Sequence, residues 1–336
     1  MAPSSLIELP PPPPLNWRNR LAYWRYLAMW ETAALLPDRA ARTIPHIVGR
    51  AWHRWASERQ RNQVRANMRR LVGTGNPAAI DALVRDAYAA YARYWLDSFR
   101  LHRLDADRVL AESHTEGLEH VDAIRDTGDG GIFVTGHLGS WDIGALYGTR
   151  RGWRMVAVAE VVEPRPLFDR FVRLREDAGI AIVPLVRGGD LIGRLGREIR
   201  DQARLATLLA DRDLTRRGPI VEFFGEPCRL PAGASILARR LGRPVVAGAF
   251  LTDGLGFRCV AREPIDISGL DLVDGTQAVA RELEHLITID PAQWHVFVPN
   301  WLADREPEHP VVAAWREGRD WQSLARSERR SYRVTI

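Results

Sequence analysis

Short apolar runs recur through the second half of the sequence, at 131–135, 155–158, 180–185, 206–209, 220–224 and 245–250, with helical stretches such as 167–178 and 234–241 between them. Runs this short and this apolar are strands covered on both faces. Alternated with helices, they predict an α/β fold: a mostly parallel central sheet flanked by helices.

The first hundred residues follow a different pattern. Pro10 to Pro14 form a stiff spacer, a helix is expected over 17–36 up to Pro37, and the helical pattern continues over 47–71 and 78–101, with Gly73, Gly75 and Pro77 marking a break. Beyond 303 the composition turns polar and arginine-rich, as expected of a surface helix and a loose tail. The chain is therefore read as a proline-rich segment (1–16), a helical, membrane-facing region that packs on or beside the sheet (17–110), an α/β core (111–303) and a polar tail (304–336).

Composition removes several functions. No apolar run reaches the roughly 18 residues of a spanning helix, and 1–14 lacks the basic stretch of a signal peptide. With only 2 cysteines, a reduced, intracellular setting is expected. The sequence contains no lysine, so all 47 basic residues are arginine. Chemistry that needs a lysine amine, such as Schiff-base formation or a P-loop, is excluded.

The net charge of +5 is uneven: residues 1–72 carry twelve arginines against four acids, a balance of +8, so the remainder sums to −3. The same stretch holds Trp17, Tyr23, Trp24, Tyr26, Trp30, Trp52 and Trp55. Arginine mixed with tryptophan suits an anionic, half-apolar surface, because the ring settles at the headgroup boundary while the guanidinium meets phosphate. The plain alternative is a helix whose aromatics are core and whose arginines are solvated. No nucleic-acid motif accompanies the charge, and nucleic acid is not expected as a partner.

A histidine five residues ahead of a carboxylate invites a general-base reading, yet 9 His and 42 acids in 336 residues give about one such pair by chance. The sequence holds five: His53/Glu58, His102/Asp107, His114/Glu119, His137/Asp142 and His285/Asp290. Four lie in polar stretches, where a solvated or structural histidine is the simpler account. The His137/Asp142 pair instead sits in Gly131-Ile-Phe-Val-Thr-Gly-His-Leu-Gly-Ser-Trp-Asp142, a buried strand entering a glycine-flanked turn and then a helix. Ligand sites of α/β sheets lie at such strand ends. Five residues of ideal helix turn through about 500°, leaving the two side chains about 140° apart. Pairing therefore needs His137 in the turn and Asp142 in the first helical turn, reaching back to fix the ring while its other nitrogen takes a proton.

At these residues the sequence resembles the glycerolipid acyltransferase superfamily, marked by His-x-x-x-x-Asp, and within it the lipid A late acyltransferases and the phosphatidylinositol mannoside acyltransferases. The likeness spans roughly Trp17 to Trp301. It includes Ala159-Glu160, the run from Phe168 to Arg175, Ala210-Asp-Arg-Asp-Leu-Thr-Arg-Arg-Gly218, Val221 to Gly225, Leu230 to Gly233 and Trp294-His295. The resemblance implies transfer of a fatty acyl chain from acyl-CoA, or from acyl carrier protein in the lipid A branch, to a sugar hydroxyl of a membrane glycolipid at the cytoplasmic face of the plasma membrane. It implies a peripheral enzyme with no cofactor beyond acyl-CoA as co-substrate and no metal. By position, His137 is the base and Asp142 its partner, while Glu160, Arg175, Asp211, Arg212 and Asp213 line the substrate site. One position departs: the family carries glutamate where this chain has Asp211.

Read without the family, Arg175 is either an exposed ion pair or a bidentate clamp on phosphate. Asp211-Arg212-Asp213 follows an apolar run and is either a polar loop or a second strand end converging on the site. A serine hydrolase lacks its Gly-x-Ser-x-Gly elbow, and no His/Cys cluster has zinc spacing. A thioesterase in which His137 activates water, and a non-catalytic membrane-surface protein, are the competing readings.

Overall fold

A computed structural model describes Pro14 and residues 16–328 apart from positions 74, 187 and 255. Most of the expected proline spacer and the last part of the tail lie outside the described residues. The chain opens with α1 (Trp17–Leu35), α2 (Asp38–Trp55), α3 (Glu58–Val72), α4 (Pro77–Phe99) and the short α5 (Ala106–Ala111). The helical pattern over 47–71 is interrupted once, at the α2–α3 turn, where the Ser57 hydroxyl accepts the Gln60 N–H at 3.2 Å and caps α3.

The α/β region then runs β1 (Ser113–Glu116), α6 (Glu119–Thr127), β2 (Gly131–Thr135), α7 (Trp141–Arg150), β3 (Met155–Glu160), α8 (Arg165–Asp177), β4 (Ala181–Leu185), α9 (Leu191–Gln202) and β5 (Leu205–Leu209). A hairpin follows, β6 (Ile220–Phe223) and β7 (Glu226–Arg229), then α10 (Gly233–Leu241), β8 (Val245–Asp253), β9 (Gly256–Ala261) and α11 (Leu272–Ile289). Three short helices close the described chain: α12 (Leu302–Arg305), α13 (Pro310–Arg316) and α14 (Trp321–Ser327).

Seven strands form one sheet in the order β1-β9-β8-β2-β5-β3-β4. All neighbours are parallel except β8 and β9. Five of the six apolar runs are strands of this sheet, and the fold class is the α/β fold expected. The sixth, at 220–224, is not: β6 pairs only with β7, as a separate antiparallel hairpin. Residues 304–328 are not a loose tail. Val311, Val312, Ala314, Trp321 and Ala325 bury with Ile220 and Leu302 in a small core over the hairpin, so the polar composition there belongs to one face of each helix.

The N-terminal helices reach the sheet through α4, which packs against α1, α2, α3 and α7. Trp30 of α1 is 3% exposed and packs its ring on Phe99 and Phe171, both at 5.1 Å. Arg100 donates to the carbonyls of Ala33 (3.0 Å) and Leu36, and Arg103 to that of Ala34. These guanidinium groups add donors to the carbonyls at the end of α1, where, among the described residues, only that of Ala33 also accepts a backbone N–H, from Leu36 at 3.3 Å.

Candidate active site

The strand β2 ends at Thr135, which registers with Leu209 at the end of its parallel neighbour β5. Two residues past each end lie His137 and Asp211. Continuing the register therefore brings them side by side, although 74 positions separate them in the chain. The Asp211 Oδ1 accepts from His137 Nδ1 at 2.7 Å, and its Oδ2 accepts both the His137 backbone N–H and the Trp294 indole Nε1–H, each at 2.7 Å. Asn300 Nδ2 donates to the Asp211 carbonyl at 2.9 Å. Gly136 lies against this contact, and a Cβ there would stand 3.1 Å from the Asp211 carboxylate, which would have to give by a few tenths of an ångström.

Asp211 is fully buried. Burial would raise its carboxyl, but the charge of His137, the bonds from its ring and backbone, and the Trp294 indole together hold it below the ordinary carboxylate value. An ionised Asp211 fixes the proton on Nδ1 and leaves Nε2 as the basic nitrogen. The imidazole is a quarter exposed, so that nitrogen is open to a reacting partner.

The expected contact from Asp142 to the ring is not made. Asp142 enters the first turn of α7, as anticipated, but its carboxylate turns toward α4 and α8. Arg175 Nε donates to Oδ1 at 2.8 Å and Nη2 to Oδ2 at 3.4 Å, with Ser98 (2.9 Å) and Tyr94 (3.2 Å) hydroxyls donating to Oδ2. The donors of α4 and α8, Ser98, Tyr94 and Arg175, hold the carboxylate there, although His137 lies in the turn before α7. Arg175 is corrected in the same way: its fork closes on an internal carboxylate instead of standing open to phosphate. Burial lowers its pKa, but Asp142 overcomes this and raises it.

The other expected residues fall on the same carboxyl edge of the sheet with different surroundings. Glu160 ends β3, beyond β5 from His137, and is exposed without a hydrogen-bond partner among the described residues. Arg212 is half-buried next to Asp211. Asp213 is buried and folds back on its own loop: Oδ1 accepts the Thr215 N–H (2.8 Å) and hydroxyl (2.7 Å), Oδ2 the Gly218 N–H (2.6 Å). Its carboxylate shapes the loop.

The segment after α11 supplies what spacing alone did not reveal. His295 N–H donates to the His137 carbonyl at 2.7 Å, Gly139 N–H to the Gln293 carbonyl at 2.9 Å, and the His295 Nε2 lies 3.1 Å from the Gly139 carbonyl. Gly139 has φ +63°, and a Cβ there would meet the Phe250 carbonyl oxygen at 2.1 Å. Only glycine fits. His295 stacks on Tyr91 at 4.9 Å, and burial pushes its pKa down to about 3, so it is a neutral brace on the turn and not a second base. The Trp294-His295 pair was visible in the sequence only through the family likeness.

A histidine held by a buried carboxylate at a parallel-sheet edge is a general-base arrangement, and comparison with known proteins gives it a chemical setting. Residues 15–303 match the model of the bacterial lipid A biosynthesis acyltransferases. The chain belongs to this family. It is 33% identical over 307 residues to a phosphatidylinositol mannoside acyltransferase of Mycobacterium tuberculosis, covering 89% of this chain and 94% of that protein. A protein of the same name from Mycolicibacterium smegmatis is 33% identical over 285 residues, 84% of this chain and 92% of the other. In this acyltransferase, no helix among the described residues is long and apolar enough to cross a membrane.

Proposed function

We propose that the protein transfers a long fatty acyl chain from acyl-CoA to a sugar hydroxyl of a phosphatidylinositol mannoside, with His137 as general base. The observation that carries the reading is His137 Nδ1 on the buried Asp211 carboxylate at 2.7 Å in a chain of an acyltransferase family. The basic Nε2 takes the proton of the acceptor hydroxyl as its oxygen attacks the thioester carbonyl, and the tetrahedral oxyanion collapses with departure of the thiolate. The imidazolium, stabilised by Asp211, returns the proton to the thiolate. Ester and thiol are the products, and no acyl-enzyme forms.

Access from a bilayer is proposed for the N-terminal helices. On α1 and α2, Trp17 (70% exposed), Trp24 (61%) and Trp55 (82%) stand in solvent with Leu21, Met29, Ile47 and Val48, among exposed Arg18, Arg20, Arg25, Arg50 and Arg54. That mixture favours an anionic membrane, the cytoplasmic face of the plasma membrane. Trp30 and Trp52 do not take part: the first is buried, and the second packs on Tyr88, Tyr91 and Phe297.

The test is incubation of the purified protein with labelled acyl-CoA and vesicles containing phosphatidylinositol mannosides, following ester formation and free fatty acid separately. Ester formed by the wild type and lost in His137→Ala, with folding intact, is the expected result. Free fatty acid without ester would make the protein a thioesterase, and undiminished transfer in His137→Ala would remove the base assignment.

A further inference from the structure

Arginines that approach the protein interior here generally find carboxylates: Arg70 meets Asp304 and Glu226, Arg175 meets Asp142, and Arg204 meets Glu198. The loop that follows Asp211 differs: Arg212 there is half-buried, and Arg216 and Arg217 are exposed. Arg212, Arg216 and Arg217 lie within six residues, and none of their side chains makes a hydrogen bond or ion pair among the described residues. Arg305 of α12 reaches the same loop and gives its Nη1 proton to the Asp213 backbone carbonyl at 2.9 Å, not to a carboxylate.

The one acid in the loop offers these arginines little. Both oxygens of Asp213 accept loop hydrogen bonds, from Thr215 and Gly218. Burial, followed by the positive charge of Arg216, depresses Arg305 below its ordinary value, and Arg212 adds to the effect. Asp213 opposes this in part, so four guanidinium groups share one carboxylate whose oxygens are already engaged, at a cost that a bound anion would offset. Arg216 adopts φ +57°, a conformation L residues rarely take, inside the turn that Asp213 organises. Gly218 pins the far end, since a Cβ there would fall 2.0 Å from the Leu230 carbonyl oxygen.

The cluster also has a definite place. It starts one residue after the carboxylate that holds His137, and the charge of Arg212 is felt at Tyr91, whose ring stacks on His295 beside the catalytic turn.

We propose that Arg212, Arg216, Arg217 and Arg305 form a clamp for the phosphate groups of the thioester donor. Planar guanidinium groups match phosphate oxygens in a bidentate manner, and several of them on a fixed turn can hold more than one phosphate. The clamp takes over the phosphate role that the sequence assigned to Arg175. The inference rests on the acyl-transfer reading for the identity of its ligand. The phosphate of a lipid headgroup shares the same chemistry, and the experiment separates the two.

The experiment uses the full chain and calorimetric titration with coenzyme A, with pantetheine (which lacks the phosphates), with inorganic phosphate, and with vesicles of anionic phospholipid. It compares the wild type with Arg216→Gln/Arg217→Gln, with Arg305→Gln, and with Arg216→Lys/Arg217→Lys. Thermal unfolding checks that each variant folds. Coenzyme A affinity and the preference of kcat/KM for acyl-CoA over S-acyl pantetheine should both fall about tenfold or more in the glutamine variants, with partial recovery in the lysine variant. Unchanged coenzyme A affinity and preference would overturn the clamp. A loss confined to vesicle binding or to KM for the lipid acceptor would overturn the donor assignment in favour of a headgroup. His137→Ala should still bind coenzyme A. A wild type that binds coenzyme A through these arginines yet transfers no acyl group would overturn the acyl-transfer reading and leave the clamp standing.

Discussion

Asp211 accepts three N–H groups on two buried oxygens, and two of them come from His137 itself. The third, from Trp294, is the one that can be removed without touching the base. In Trp294→Phe the ring remains to fill the core while the carboxylate loses a donor. A less satisfied carboxylate is more basic, and it also stabilises the imidazolium more strongly, so both effects move in the same direction. The acid limb of the kcat/KM profile should therefore shift to higher pH, with kcat reduced by about tenfold; an unshifted limb would make Trp294 mere packing. The two aspartates named by the sequence should separate in kind. Asp211→Asn no longer enforces the Nδ1–H tautomer and should cut kcat by about two orders of magnitude or more with little loss of Tm. Asp142→Asn leaves Arg175 buried without its charge partner and should cost about 3–5 kcal/mol of stability. Denaturant unfolding and steady-state kinetics on both variants would reveal the reverse assignment if it holds. The sequence placed both acids near the base but paired the wrong one, because a spacing of five is visible in a string of letters and adjacency across a parallel sheet is not.

At the scale of elements, legibility followed burial. Strands covered on both faces, β2, β3, β4, β5 and β8, read as apolar runs, whereas the edge strand β1 is polar and largely exposed and β9 beside it breaks its apolar run with Gly256 and Arg258, so neither left a signal. The 220–224 run is apolar because it lies between α11 and the closing helices, an environment that imitates a sheet interior. The α1 pattern hid a division of labour that a helix of mixed aromatics does not disclose. Trp30 is wedged against Phe99 and Phe171 with Arg170 over its face at 4.7 Å, while Trp24, six residues earlier, is exposed. Trp30→Ala should destabilise the fold by about 3–5 kcal/mol. Trp24→Ala should leave Tm within about half a kcal/mol equivalent of wild type and weaken vesicle binding instead. Equal losses of stability would place both rings in the core.

Over the whole molecule, charge, helices and site share a geometry with α4 as its centre. One side of α4 carries Tyr91, Tyr94 and Ser98 toward His295 and Asp142, and α1 and α2 pack on the same helix, Trp52 of α2 touching Tyr91 itself. Helices that dock on a membrane would thus hold the carboxyl edge of the sheet close to it. The balance of +8 in residues 1–72 contributes roughly 1 kcal/mol for each arginine that nears an anionic surface, and the exposed tryptophans add insertion that salt does not screen. The Debye length falls from about 10 Å at 0.1 M salt to about 3 Å at 1 M, so the two contributions separate in a flotation assay. Deleting α1 outright would tear Trp30 from the core and strip Arg100 and Arg103 of their carbonyls, which confounds binding with folding. A surface variant avoids this: Trp17→Ser with Trp24→Ser removes insertion, and Arg18→Gln, Arg20→Gln and Arg25→Gln together remove charge. The arginine variant should lose anionic vesicle binding chiefly at low salt, and the tryptophan variant should lose the part that persists at 1 M. Acylation of a vesicle-embedded acceptor should fall in both, while transfer to a detergent-dispersed, short-chain acceptor should be spared. Wild-type flotation of both variants at every salt concentration would mean that these side chains meet water and not lipid, and that the acceptor reaches His137 by another face.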